Sequence, residues 1–177
     1  MLVLIVPVVI VFMQMDERFS RRPLSTGAAT LISLRLAEGV DPLEAHVTLT
    51  VGDGLVQDSR PVRVSETREV AWRVRVADPG THRVTIETRG NTYTFPVVAG
   101  ERYRMIGHER SASSWIEPLV HPAMPSIPPA SPIARVAVAY PAAAYPLLFW
   151  DTHWIAVFIV YSFLAALVLK FVIKFEI

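Results

Sequence analysis

Sixteen consecutive residues without a charge, Trp154 to Leu169 (WIAVFIVYSFLAALVL), constrain this chain more than any other feature. Lys170 interrupts the run, and Phe171, Val172 and Ile173 continue it. Twenty helical residues cover about 30 Å, the thickness of a hydrocarbon core. A helix buried in a soluble core normally carries polar punctuation along one face. The reading is therefore a C-terminal transmembrane helix with its interface over 147–174. Trp150 and Trp154 stand at one end, where indoles favour the headgroup region, and Lys170 reaches the headgroups at the other by extending its stem. Trp150, Asp151, His153, Trp154, Lys170 and Lys174 are thus the expected interface residues. Asp151 is also placed to favour a protonated His153. Ser162 and Ala166, four apart with Ala165 beside them, form a small-residue face that permits close helix packing.

The N-terminus is apolar but shorter. Leu2 to Met13 gives twelve apolar residues around Pro7, about 18 Å as a helix. No basic segment precedes it and no A-x-A site follows, so a cleaved signal peptide is a poor fit. It reads over 1–15 as a membrane anchor, either short or tilted, lying along the surface, or truncated at its start.

Between these ends the period changes to two. Over 28–107 short alternating runs recur: Leu31–Leu36, Val47–Val51, Val62–Val64, Val70–Val76, Val84–Ile86, Tyr93–Val97 and Arg102–Ile106. Turn signals separate them at Gly52-Asp53-Gly54, Asp78-Pro79-Gly80, Arg89-Gly90-Asn91 and Ala99-Gly100. Six or seven such strands predict an all-β domain, an antiparallel immunoglobulin-like β-sandwich, with a small barrel as the alternative. Gly52-Asp53-Gly54 reads as a hairpin, since no Lys-Ser/Thr or helix follows to make a phosphate loop. Arg63, Arg73 and Arg75 alternate with apolar neighbours and are expected on the outward sheet face. There they form a possible interaction surface for anionic lipid, polymer or an acidic partner, or pair across strands with Glu66, Glu69 and Glu87.

From 108 to 146 proline dominates, with eight of the chain's fourteen between Glu117 and Pro146. Such a run favours extended polyproline conformation and acts as a semi-rigid spacer. Within it, 133–140 resumes alternation, and either ends the linker or returns as an extra strand, which would make the proline run a crossing loop.

Composition narrows the chemistry. Hydrophobic residues make up 52% of the chain and the mean hydropathy is +0.38, with the excess at the two ends. A net charge of +1 creates no field for nucleic acid. The absence of cysteine removes disulfides, thiolate nucleophiles and Cys-bound zinc. The five histidines form no H-x-x-x-H or H-E-x-x-H pattern, and the serines lack a G-x-S-x-G context. His108, Glu109 and His121 make up the one conceivable metal or catalytic set. No cofactor and no enzymatic activity are expected. Of 17 basic residues, 15 are Arg, which together with abundant Ala, Val and Pro associates the chain with a GC-rich bacterial genome.

The WDTHW approach to the span (Trp150 to Trp154), the apolar helix and the short lysine-containing tail resemble uncharacterised bacterial membrane-anchored proteins that carry an extracytoplasmic immunoglobulin-like sandwich ahead of a C-terminal transmembrane helix. The resemblance covers about the last forty residues and implies architecture, not activity. The positive-inside rule, applied to Lys170 and Lys174, places the C-terminus in the cytoplasm and the β-domain outside, at the bacterial inner membrane. Arg18, Arg21 and Arg22 argue the other way. The expectation is a non-catalytic accessory module whose partners are the lipid bilayer and a membrane protein. An envelope-structural protein is the alternative.

Overall fold

The computed structural model describes residues 2–101, 106–112, 127–147 and 149–173. The chain forms two compact units, Met1–Pro141 and Ala142–Ile177. In the first, helix α1 (Leu2–Phe19) precedes nine strands: β1 (Ala29–Leu36), β2 (Val47–Val51), β3 (Leu55–Gln57), β4 (Val62–Val64), β5 (Glu69–Val76), β6 (Gly80–Thr88), β7 (Asn91–Ala99), β8 (Glu109–Ser111) and β9 (Ile133–Val138). The second holds β10 (Tyr145–Leu147), β11 (Trp150–Thr152) and helix α2 (Trp154–Ile173).

Among the described residues the strands named above all pair antiparallel, and they make two main sheets. One runs β3-β5-β1-β9-β8, with β4 following β3 along the same edge of β5; the other runs β2-β6-β7. Alternation produces this arrangement directly. On β5, Val70, Trp72, Val74 and Val76 are buried to 1% exposure or less, while Arg73 and Arg75 are exposed. On β1, Ile32, Leu34 and Leu36 point inward and Leu31 and Arg35 outward. The inner faces of both sheets, including Val84, Ile86, Phe95 and Val97 from the smaller one, share a single hydrophobic core. Inward Thr30 fits there because its hydroxyl donates to the Ala139 carbonyl at 2.6 Å.

The Gly52-Asp53-Gly54 turn is not a hairpin. It carries the chain from β2, paired with β6, to β3, paired with β5 in the other sheet. Gly54 has φ +85, a conformation that favours glycine, and a Cβ there would lie 2.2 Å from the His82 ring and have to displace it. Asp78-Pro79-Gly80 likewise switches sheets, from β5 to β6. Arg89-Gly90 is a true hairpin turn. Both residues have positive φ, 48 and 76, as a two-residue type I′ loop demands.

β9 occupies an interior place in the larger sheet, between β1 and β8. Its burial does not alternate strictly: Ile133, Val136 and Val138 are inward, three and then two residues apart. A register shift opposite Arg35/Leu36 supplies the extra residue, so one bulge puts all three in the core. The folded unit thus continues beyond residue 107. The proline-rich run is the connection that reaches β9, and 113–126 of it lie outside the described residues, as do 102–105 of the expected Arg102–Ile106 strand.

Side chains fasten this return. Ser131 Oγ donates to Tyr93 Oη at 2.8 Å and accepts from the Ile133 amide at 3.0 Å. Just past β9, the buried Tyr140 hydroxyl accepts from the Val98 amide on β7 at 2.9 Å, linking the larger sheet to the smaller. Tyr140→Phe leaves that buried N–H unpaired and is expected to cost about 1–3 kcal/mol by chemical denaturation. Burial pushes the Tyr140 pKa up to about 12, against a smaller lowering by the Val98 amide. The folded value lies above the usual 10 of an unfolded tyrosine. Its contribution is therefore whole below pH 10 and lost as pH rises from 10 through about 12. That part of the alkaline loss should be missing in Tyr140→Phe.

Helix α2 is long and apolar enough to cross a membrane. From Trp154 to Phe171, Trp154 alone is buried, at 5% exposure, so α2 is not a core helix of the described structure. Helix α1 exposes Ile5, Val6, Val8, Val9, Val11, Phe12 and Met13 but buries Glu17. Its charged C-terminal turn leaves too short an apolar length to cross by the same measure.

Candidate interaction surfaces

The outer faces of the two sheets differ in chemistry. The smaller sheet shows Thr48, Thr50, Glu87, Thr92 and Thr94 to solvent, an ordinary hydrated surface. The larger sheet exposes Leu31 (54%), Val56 (50%), Val62 (59%) and Val64 (39%) around a row of arginines. Antiparallel partners share a face, so the register maps this surface: Val56 stands opposite Arg75, Leu31 opposite Arg73, Val62 opposite Ala71, and Val64 opposite Glu69.

The expected arginine triad separates on this map. Arg73 and Arg75 lie outward as predicted from alternation. Arg63 does not: it pairs with Val70, whose side chain is wholly inside, so Arg63 takes the inner side of a short edge strand. There its Nη1 donates to the carbonyls of Pro42 and Leu43, each at 3.0 Å. The cause is register. β4 must align Val62 and Val64 with the outward residues of β5, which turns the intervening arginine in. The charge partners also differ from Glu66, Glu69 and Glu87. Arg75 binds Asp58, with Nε at 2.9 Å and Nη2 at 2.7 Å, and Arg135 binds Glu109. A weaker contact joins Arg68 to Glu38 at 3.9 Å. Arg35, Arg73, Arg75 and Arg135 thus share the outer face with Asp58, Glu69 and Glu109, a near balance of charge with apolar side chains between.

The His108, Glu109 and His121 set is not assembled by what is described. Glu109 faces Arg135, which neutralises it, and His121 lies outside the described residues. Among the described residues, no three His, Asp or Glu side chains converge as a metal site. A shallow cleft of about 670 Å³ lies between Ser25-Thr26, Pro79-Gly80 and Ala99–Glu101. Among the described residues its walls bring no His or Lys, and one carboxylate, Glu101.

In the second unit, the expected interface residues differ in exposure. Trp154 is buried, its ring 5.9 Å from His153 and 6.4 Å from Phe158 in an edge-on arrangement. Trp150 is 67% exposed and Phe149 91% exposed. His153 sits at the N-terminus of α2: its carbonyl accepts from Ala156, and Nδ1 faces the Ile155 amide at 3.4 Å. This geometry gives His153 a helix-capping role. Lys170 occupies the last turn of α2, and Lys174 lies outside the described residues.

Sequence reasoning did not assign Leu31, Val56, Val62 or Val64 to an interaction surface. Leu31 follows from the alternation of β1, whereas Val62 and Val64 face outward only through the register that β5 imposes on β4. Compared with models of protein families, with curated proteins and with solved structures, the chain shows no significant match.

Proposed function

We propose that this protein is a non-catalytic, membrane-anchored interaction module of the bacterial envelope, presenting an immunoglobulin-like β-sandwich to a protein of a membrane complex. The observation that carries the reading is the group of four exposed apolar side chains on the outer face of the larger sheet, on a chain that also has a helix able to span a bilayer. Isolated exposed apolar residues are ordinary, but four of them clustered on one face, with charges largely neutralised, fit a protein partner.

Strand partnering supports the immunoglobulin-like part. Immunoglobulin constant-type domains place strands A-B-E-D on one sheet and C-F-G on the other. Reading β1 as B, β2 as C, β3 and β4 as D, β5 as E, β6 as F and β7 as G reproduces D-E-B and C-F-G. β9 then stands beside B, where A would be. The core Trp72 lies on the strand read as E, whereas antibody domains carry theirs on C.

α2 anchors the module in the inner membrane. Lys170 and Lys174 favour a cytoplasmic C-terminus and an extracytoplasmic β-domain. Of the opposing arginines, Arg21 serves the fold, its Nη1 donating to the Tyr140 carbonyl at 3.3 Å. α1 adds a second, shallower membrane contact. The envelope-structural alternative loses support because Arg75 and Arg63 are already engaged.

The test uses the full chain in mild detergent. Wild type should migrate well above its own 19.7 kDa plus a micelle. Val56→Glu with Val62→Glu should run alone while melting as wild type does, because both sites are exposed. A wild type that runs alone, or a complex indifferent to the two glutamates, overturns the proposal.

A further inference from the structure

We propose that the β10–β11 hairpin is a lipid-interface wedge, with Phe149 and Trp150 seated among the headgroups and upper acyl chains beside α2. The inference rests on α2 crossing the bilayer, as proposed above. The hairpin pairs Tyr145 with Thr152, Pro146 with Asp151 and Leu147 with Trp150, joined through residues 148–149. Period-two geometry therefore gives it two unlike faces: Leu147 and Trp150 on one, Pro146 and Asp151 on the other.

Phe149 and Trp150 are the two large aromatics left in solvent at the tip, at 91% and 67% exposure. Each offers about 150–250 Å² for burial. Chain length keeps the headgroups within their reach. Trp150 precedes the first residue of α2 by four positions, so it stays within about 14 Å of the start of the span even when fully extended. The interfacial layer on each side of the hydrocarbon core is about 5–8 Å thick. A residue tethered that closely can reach the headgroup region, where tryptophan is most favoured. The burial of Trp154 sharpens the assignment: it packs with His153 and Phe158, so Trp150 and Phe149 take the lipid-facing role that the sequence assigns to both indoles. A wedge beside the helix would fix the depth and rotation of α2.

The chain has no cysteine, so single thiols can be introduced without removing any. Phe149→Cys, Val168→Cys and Glu66→Cys are each made in the full chain, spin-labelled and reconstituted into phosphatidylcholine vesicles. Collision rates with oxygen, which partitions into lipid, and with a water-soluble nickel chelate are then compared. Position 149 should show an oxygen-to-nickel ratio several-fold above that at 66, an exposed turn of the β-domain, and below that at 168. A ratio at 149 equal to that at 66, with 168 still lipid-buried, overturns the wedge alone. An aqueous 168 overturns the membrane span and the wedge with it.

Discussion

Ile133→Asp should unfold the β-domain. Ile133 has no exposed surface, stands opposite Leu36 on β1 and belongs to the core shared by both sheets. Losing the buried side chain alone costs about 2–5 kcal/mol. An unpaired carboxylate in that position adds several kcal/mol more, whether it stays charged or takes up a proton. A domain of this size has about 5–15 kcal/mol in total. Circular dichroism and protease resistance of the full chain in detergent would show the loss. Ala134→Asp, one residue on, lies at the bulge on the partly exposed outer side and should change stability by only about 0.5 kcal/mol. A proline-rich stalk that merely passes through 133–140 would leave both variants folded. The pair of substitutions therefore separates a strand from a spacer.

Trp72→Ala is the second large effect. The indole is 1% exposed at the middle of β5, opposite Ile32 on β1, between a strand centre and the smaller sheet's inner face. Removing it leaves a cavity among residues that cannot collapse without breaking the alternation on either side. The expected cost is about 3–5 kcal/mol, a lowering of the melting temperature by about 10–25 °C. Trp150→Ala removes the same side chain from an exposed tip and should leave the β-domain's melting temperature unchanged. Equal shifts for the two would contradict the assignment of Trp72 to the core.

The local parts of the fold were legible in the sequence. Val70 to Val76 states its inner and outer faces outright, and the Arg89-Gly90 turn is written in residue type and spacing. What could not be read were the choices made by distant partners. Nothing near Gly52-Asp53-Gly54 says that its two strands belong to different sheets. That outcome follows from β2 pairing β6, more than thirty residues on. Arg63 reads as outward because its neighbours are apolar, yet β5 sets the register and turns it inward. The 133–140 segment reads as either linker or strand because prolines surround its alternation, and only the bulge opposite Arg35/Leu36 brings Ile133 into the core with Val136 and Val138.

The candidate surfaces were half legible for the same reason. Alternation placed Arg73 and Arg75 correctly, but the charge left on Arg75 depends on Asp58, which reaches the face through a loop placement that periodicity does not encode. At the span, composition grouped Trp150 and Trp154 as equivalents. The hairpin before α2 exposes one, and the first helical turn buries the other.

The most direct measurement of the central claim is photo-cross-linking in intact membranes from single positions on the two outer sheet faces. A photoreactive residue at Leu31 or Val56 samples the larger sheet, and one at Thr48 or Thr94 samples the smaller. The expected result is one adduct of common size from Leu31 and Val56, lost on Arg73→Glu, with none from Thr48 or Thr94. Adducts from the threonine face in their place, or no adduct from any of the four, would contradict the assignment of this domain as a docking module.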